Sequence, residues 1–131
     1  MDMKLELVPM PVTDVDRAKA FYTDQVGFVE DLDVRPADGV RVVQLTPPGS
    51  SCSIVLSTGL PILSAMAPGT IKGLHLVVAD LEGARNQLIA AGVDVDAVND
   101  VGGGVKWAAF EDPDGNALVL QQMEWRTGGA Y

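Results

Sequence analysis

Alternating apolar and polar positions predict short β-strands along both halves of the chain. The clearest pair, residues 106–110 and 117–121, flanks Asp112-Pro113-Asp114-Gly115-Asn116. Asp-Pro favours the start of a turn, and Asp, Gly and Asn tolerate a positive φ, so this segment predicts a β-hairpin. The same alternation predicts six further strands, over residues 5–13, 28–35, 40–45, 52–57, 73–79 and 93–98.

Two segments change from strand to helical spacing directly after an aspartate. Asp14 and Asp80 are typical N-cap residues, and Gly27 and Gly92 are typical glycines at a helix C-terminus. The apolar residues between them recur three and four positions apart, which predicts one buried face on each helix. The residues of these faces are Val15, Ala18, Phe21, Tyr22 and Val26, then Leu81, Ala84, Leu88 and Ala91.

The two halves repeat one another. Residues 12–18 match 78–84 at an offset of 66, residues 40–45 match 105–110 at 65, and residues 53–56 match 117–120 at 64. Two copies of so long a unit indicate a duplication. We therefore expect a single α+β domain, 1–131, made of two βαβββ modules. Module 1 covers 5–57, a linker covers 58–72, module 2 covers 73–122, and a tail of no assigned role covers 123–131; the segment 99–104 is expected to be a glycine-rich loop.

Composition excludes several classes of partner. With 18 acidic and 9 basic residues the net charge is −9, so no basic surface is available for nucleic acid. The acidic charge suits a cationic ligand or serves solubility. A single cysteine excludes an internal disulfide, and no apolar run is long enough for a membrane span. Residues 1–4 do not resemble a signal peptide, so we expect a cytoplasmic protein without a membrane partner.

Over residues 5–122 the chain resembles the vicinal oxygen chelate superfamily, which includes glyoxalases, bleomycin resistance proteins and extradiol dioxygenases. The resemblance lies in the strand–Asp–helix segments around Asp14 and Asp80, in Phe21-Tyr22 and Val26-Gly27-Phe28, and in the segment 112–116. It implies that the modules form a curled mixed sheet around a cavity, with the helices on the convex face. It also implies a homodimer, in which the cavity lies within one chain or between two.

Metal-using members of that superfamily place His, Glu or Gln at four inward-facing strand positions. The corresponding positions here are Leu7, Val55, Gly73 and Val119. None of these side chains offers a lone pair, whereas a transition metal needs several N, O or S ligands. We therefore expect no metal and no other cofactor.

Strand alternation indicates which residues share a face with these four positions. If Ala109 lies opposite Val119 across the hairpin, then Trp107 lies opposite Gln121 and both point inward. The expected cavity is mostly apolar, as small-molecule pockets usually are. Its polar groups are Gln44, Ser53, Ser57, His75, Trp107 and Gln121; the candidate ligand-binding residues are Leu7, Gln44, Val55, Ser57, His75, Trp107, Val119 and Gln121.

Several roles stay open at this point. Trp107 suits stacking on an aromatic or cationic ligand and equally suits core filling. His75, the only histidine, is either a general base or a hydrogen-bonded wall residue. No nucleophile or partnering carboxylate is identifiable, so no catalytic residue is assigned. Arg41 and Lys106 face away from the cavity, in solvent or at an interface.

Three functions are compatible with these observations. The first is a metal-free protein that encloses a small organic ligand, either aromatic or cationic. The second is a glyoxalase- or dioxygenase-like enzyme, a lyase, isomerase or oxidoreductase that uses His75 or non-standard metal ligands. The third is an interaction or regulatory module with a residual pocket. The fold alone does not separate them, because this fold carries many chemistries.

Overall fold

The structure, a computed structural model, describes residues 1–126 as two βαβββ modules. The remaining residues of the expected tail, 127–131, lie outside the described part. Module 1 consists of β1 (Leu7–Pro9), α1 (Val15–Ala20), a π-helical segment (Phe21–Val26), β2 (Val29–Ala37), β3 (Val40–Thr46) and β4 (Ser53–Thr58). Module 2 consists of β5 (Lys72–Val77), α2 (Leu81–Ala90), β6 (Asn99–Gly102), β7 (Val105–Glu111) and β8 (Ala117–Met123), followed by a 3₁₀ turn (Glu124–Arg126).

Each module forms its own four-stranded mixed sheet. The strand orders are β1-β4-β3-β2 and β5-β8-β7-β6. β1 runs parallel to β4 and β5 runs parallel to β8, while the other neighbours are antiparallel. The two sheets have the same topology, so the α+β class with two βαβββ modules is confirmed.

The strand register separates two faces on each sheet. Ala109 pairs with Val119 and Trp107 pairs with Gln121, which confirms the register expected from the hairpin. The alternate residues of β7 and β8 point to the helices and are at most 4% exposed: Ala108, Phe110, Leu118 and Leu120. The equivalent residues of the first sheet, Val43, Leu45, Ile54 and Leu56, join them and both helices in one core. We call the opposite side of each sheet its helix-free face.

Both helices begin where the aspartates predict. The Asp14 carboxylate accepts from the Arg17 amide at 3.1 Å, and the Asp80 carboxylate accepts from the Gly83 amide at 3.1 Å. The first helix widens into a π-helix after Ala20, which the apolar spacing does not reveal. It ends at Gly27, whose φ of +92° is readily available only to glycine.

One strand prediction in module 2 was wrong. Residues 93–98 form no strand, and Val95 makes a single bridge to Phe110. The carbonyl groups of Val95 and Asp96 accept hydrogen bonds from the Arg85 guanidinium at 3.1 and 2.7 Å, so they are not free for a ladder. The strand that completes the second sheet is β6, which lies within the segment that was expected to be a glycine-rich loop.

The first strand is also shorter than predicted. Residues 5–13 alternate, yet only Leu7–Pro9 pairs, alongside β4. Pro9 and Pro11 lack an N–H group, so the segment cannot extend a regular ladder. None of the helices within residues 1–126 is both long and apolar enough to cross a membrane.

Arg41 is not solvated; it is buried between β3 and α1 with 8% of its surface exposed. Its guanidinium donates two hydrogen bonds to Asp33, at 3.0 and 2.9 Å, and one to Asp16 at 2.5 Å. Lys19 binds the same Asp33 at 2.9 Å and Glu30 at 2.5 Å. These ion pairs fasten α1 to the outer part of the first sheet. Lys106, on the same side of the second sheet, is half-buried.

The modules are joined through the turn between β7 and β8. The Tyr22 hydroxyl donates to Asp112 at 2.9 Å, and the Asn116 side-chain amide donates to the Pro11 carbonyl at 2.8 Å. Asp114 accepts from the Thr13 hydroxyl at 2.6 Å. Each bond connects a residue of module 1 to one of module 2, so the predicted turn also sets how the modules pack.

Candidate functional site

Four of the eight candidate residues lie together on the helix-free face of the first sheet. Gln44 pairs with Val55 across β3 and β4, and Ser57 pairs with Val42. Leu7 pairs with Ser53 at the start of β4. Val55 is 1% exposed, whereas Leu7, Gln44 and Ser57 are half-buried. This face therefore has a hydrocarbon centre flanked by amide and hydroxyl groups.

The other four lie together on the helix-free face of the second sheet. His75 pairs with Val119, and Trp107 pairs with Gln121. Val119 is buried at 9% exposure, Trp107 and Gln121 are half-buried, and His75 is exposed. Trp107 thus presents part of its indole next to an aliphatic residue and an amide. The two sets occupy separate sheets that share no strand pairing among the described residues.

The ring of His75 is held by its own strand. Nδ1 lies 2.5 Å from the Gly73 carbonyl oxygen. A carbonyl oxygen can only accept, so Nδ1 carries the hydrogen and Nε2 is left with a lone pair. Within residues 1–126 no carboxylate is hydrogen-bonded to this ring. This arrangement makes His75 a hydrogen-bond acceptor when it is neutral, and it lacks the orienting acid of a catalytic dyad.

The residue pattern missed a chain of polar groups on the first sheet. The Thr46 hydroxyl donates to Asp31 and lies 2.6 Å from the Ser53 hydroxyl, to which the Gln44 amide donates at 3.1 Å. Alternation along β3 from Gln44 would have found Thr46. No sequence signal marks Asp31, because a β-bulge between Glu30 and Leu32 determines where its side chain points.

A separate cleft of about 760 Å³ lies between the modules. One wall is the end of the π-helical segment and the β3–β4 turn; the other is β5 and α2. Of the eight candidate residues, only His75 lines it. Residues with polar groups in its walls include Gln25, Ser50, Cys52 and Gln87. Its location at the module boundary distinguishes it from the two helix-free faces.

Comparison with known proteins places the fold in a family. The model of the Glyoxalase/Bleomycin resistance protein/Dioxygenase superfamily matches residues 4–120. The chain belongs to this superfamily. Curated, functionally described proteins gave no match.

Solved structures of the superfamily superpose closely on this chain. TnmS3, an antibiotic binding protein from Streptomyces sp. CB03234, is 34% identical with a TM-score of 0.82, over 94% of this chain and 98% of that one. A glyoxalase/bleomycin resistance protein from the same Streptomyces strain is 35% identical with a TM-score of 0.77, over 91% and 100%. A superfamily member from Sphaerobacter thermophilus DSM 20745 is 27% identical with a TM-score of 0.79, over 92% and 98%.

The metal chemistry of the glyoxalase and dioxygenase members does not fit the residues of this chain. Three of the four positions that carry ligands in metal-using members have hydrocarbon side chains here, namely Leu7, Val55 and Val119. The fourth position is Gly73, which has no side chain. In the described part of the chain, no three His, Cys, Asp or Glu residues come together in a way that could hold a metal ion. A transition metal at these positions would lack the lone pairs that it requires.

Proposed function

We propose that this protein binds a small organic molecule against the helix-free faces of its sheets without using a metal ion. The observation that carries the proposal is the chemistry of these faces. Of the four positions where metal-using relatives have ligands, three carry hydrocarbon side chains and the fourth is Gly73. Trp107 adds a flat aromatic surface on the sheet that carries Val119. An apolar surface with a few oriented polar groups is the usual composition of a ligand site.

The similarity to TnmS3 supports the same role. That protein is described as antibiotic binding and shares 34% of its sequence with this chain over nearly the full length of both. We extend to this chain a function of the same kind, the binding of a small organic molecule. The hydrocarbon of the helix-free faces and the indole of Trp107 favour a ligand with an apolar, ring-containing body.

We further propose that the protein acts as a homodimer. The inward side chains of β2 are apolar and exposed: Val29 at 54%, Leu32 at 37% and Val34 at 46%. A second copy would cover such a surface, and its own helix-free faces would enclose the ligand from the other side. The pairing of Leu32 with Gln44 places this apolar strip next to the candidate residues.

Catalysis receives no comparable support. A general base needs a partner that sets its orientation and basicity, and the recorded partner of the His75 ring is a backbone carbonyl. His75 therefore serves better as a polar wall group of a binding site.

The test is an equilibrium titration with dansyl butylamide, a fluorescent aromatic sulfonamide, in the presence of EDTA. The native protein should bind the probe, and Trp107→Ala should weaken binding by about tenfold or more, as loss of a buried aromatic contact does. Trp125→Ala is the matched control, because Trp125 is 65% exposed and lies beyond the last strand. Equal effects of the two substitutions, or binding that EDTA abolishes, would contradict the proposal.

One further variant separates the helix-free faces from the cleft. Gln87 lines the cleft and is absent from both faces. Gln87→Trp should fill the cleft and leave the affinity unchanged within about twofold. A large loss in Gln87→Trp together with full binding in Trp107→Ala would move the site to the cleft.

A further inference from the structure

The hydrogen-bond chain on the first helix-free face has a fixed direction. A carboxylate can only accept, so the single hydroxyl hydrogen of Thr46 is given to Asp31. The Ser53 hydroxyl must then supply the hydrogen in its 2.6 Å contact with Thr46. Ser53 in turn accepts from the Gln44 amide at 3.1 Å. Every donor in the chain therefore points towards Asp31.

The direction of these hydrogen bonds determines which donor and acceptor atoms remain available to a ligand. The hydroxyl hydrogens of Thr46 and Ser53 are used inside the chain. The Asp31 carboxylate keeps Oδ1, for which no partner is recorded in residues 1–126, and the Gln44 carbonyl oxygen is likewise open. Both open atoms are acceptors, and one carries negative charge.

The charge of Asp31 is uncompensated, unlike that of its neighbours along β2. Glu30 and Asp33 reach Lys19 on the helix side of the sheet, and Asp33 also binds Arg41. The bulge at Asp31 sends its side chain to the other face, towards Thr46. No ion pair to Asp31 is recorded within the described chain. Lys19 and Arg41 are thus held on the opposite face of the first sheet.

The surroundings of Asp31 combine this acceptor with apolar surface. Leu32 and Val34 lie on the same face and are 37% and 46% exposed, while Ser53, the second hydroxyl along from Asp31, is 4% exposed. Asp31 is exposed, and its carboxylate is restrained by the hydrogen bond from Thr46, which is bonded in turn to the buried Ser53. A preorganised acceptor at the border of an apolar face is the arrangement that recognises one donor on a larger hydrophobic molecule.

We propose that Asp31 determines ligand specificity, by accepting a hydrogen bond from an ammonium or hydroxyl group carried on the apolar body of the ligand. This inference rests on the proposed binding function and adds the chemical class of the ligand. It predicts that ligands with a hydrogen-bond donor at one end bind more tightly than isosteres that end in a methyl group.

Three dansyl sulfonamides with the same aromatic body and a five-carbon chain test the inference. They end in an ammonium (dansyl cadaverine), a hydroxyl (dansyl aminopentanol) or a methyl group (dansyl pentylamide). The native protein should bind the ammonium and hydroxyl probes about tenfold and about threefold more tightly than the methyl probe, in line with hydrogen bonds to a charged acceptor. Asp31→Asn should reduce both preferences to less than about twofold and leave the methyl probe unaffected.

Asp38→Asn provides the control for net charge. Asp38 is an exposed acid in the turn after the same strand, so this variant changes the charge equally but should keep both preferences. Equal affinities of the three probes for the native protein, or unchanged preferences in Asp31→Asn, would overturn the role of Asp31 while binding of the methyl probe still upheld the proposed function. An equal loss in Asp38→Asn would show a general charge effect and overturn the inference. Failure of all three probes to bind would overturn both the role of Asp31 and the proposed binding function.

Discussion

Asp112 shows how one residue connects the local turn to the packing of the modules. Its carboxylate accepts from the amides of Asp114 and Asn116 at 2.9 Å each, from the Asn116 side chain at 2.8 Å and from Tyr22 at 2.9 Å. The turn bonds could be predicted from the residue types of the segment. The bond from Tyr22 could not, because it joins residues 90 positions apart and depends on how the modules pack.

Tyr22→Phe should destabilise the protein by about 1.5–3 kcal/mol, since it removes a hydrogen bond to a buried charged acceptor. Burial, and then the negative charge of Asp112, raises the pKa of Tyr22 above its ordinary value, so the hydroxyl stays protonated and donates across the whole accessible pH range. Urea unfolding measures the loss. Thr58→Val, which removes an exposed hydroxyl with a long 3.4 Å bond, should cost less than about 0.5 kcal/mol. Equal stability of Tyr22→Phe and the native protein would contradict the expectation.

At the level of elements, the pattern was reliable where local chemistry determines the structure. The helix caps and the β7–β8 hairpin depend on residues within a few positions of one another, and they were predicted. A strand was wrongly predicted over residues 93–98, where Arg85 occupies the carbonyl groups of Val95 and Asp96. β6 was missed because its segment is rich in glycine and was assigned to a loop, whereas its pairing with β7 makes it a strand. The bulge in β2 was missed because it arises from pairing with β3. Elements defined by distant partners are therefore the ones that single-sequence patterns fail to locate.

The ion pairs between α1 and the first sheet should give stability that depends on pH. Hydrogen bonds from Arg41 and then Lys19 hold the pKa of Asp33 below its ordinary value of 3.8. A lowered pKa contributes stability above the unfolded-state value, and that contribution is lost as the pH falls through the folded-state value. Asp33→Asn should therefore cost about 1–2 kcal/mol at pH 7, allowing for partial solvent screening.

The difference between Asp33→Asn and the native protein should be constant from pH 7 to about pH 5 and should shrink below about pH 4. Urea unfolding at pH 7, 5 and 3 measures it. Asp38→Asn, with the same change of charge in an exposed turn, should show almost no loss at any of these pH values. An equal loss for Asp33→Asn at pH 7 and pH 3 would contradict the account.

For the whole molecule, the duplication offsets were enough to predict two modules with the same order of elements. Matching segments 64 to 66 residues apart imply two equivalent modules, and the structure has two sheets of equivalent strand order. The alternation within strands also identified which residues share the helix-free faces. The chain of groups ending at Asp31 was not predictable, because it requires the actual register of β2 against β3.

The proposed dimer predicts a specific sensitivity to charge on β2. Val34→Asp should reduce the mass in sedimentation equilibrium from two copies towards one, because a carboxylate would be buried in the interface without a partner. Ile89→Asp is the matched control: Ile89 is 44% exposed on α2, against 46% for Val34, and lies away from the helix-free faces. A native protein that sediments as a single copy, or equal behaviour of the two variants, would contradict the dimer.

The central claim is that the ligand lies against the helix-free faces without a metal ion. The most direct measurement is a crystal structure of the protein with a bromine-substituted dansyl pentylamide, with the bromine located by its anomalous scattering. We expect the bromine signal over the helix-free faces, with the aromatic body in van der Waals contact with Trp107 and Val119 and no metal density beside it. A bromine signal confined to the cleft near Gln25 and Gln87, or a metal ion bound between the ligand and the strands, would contradict the claim.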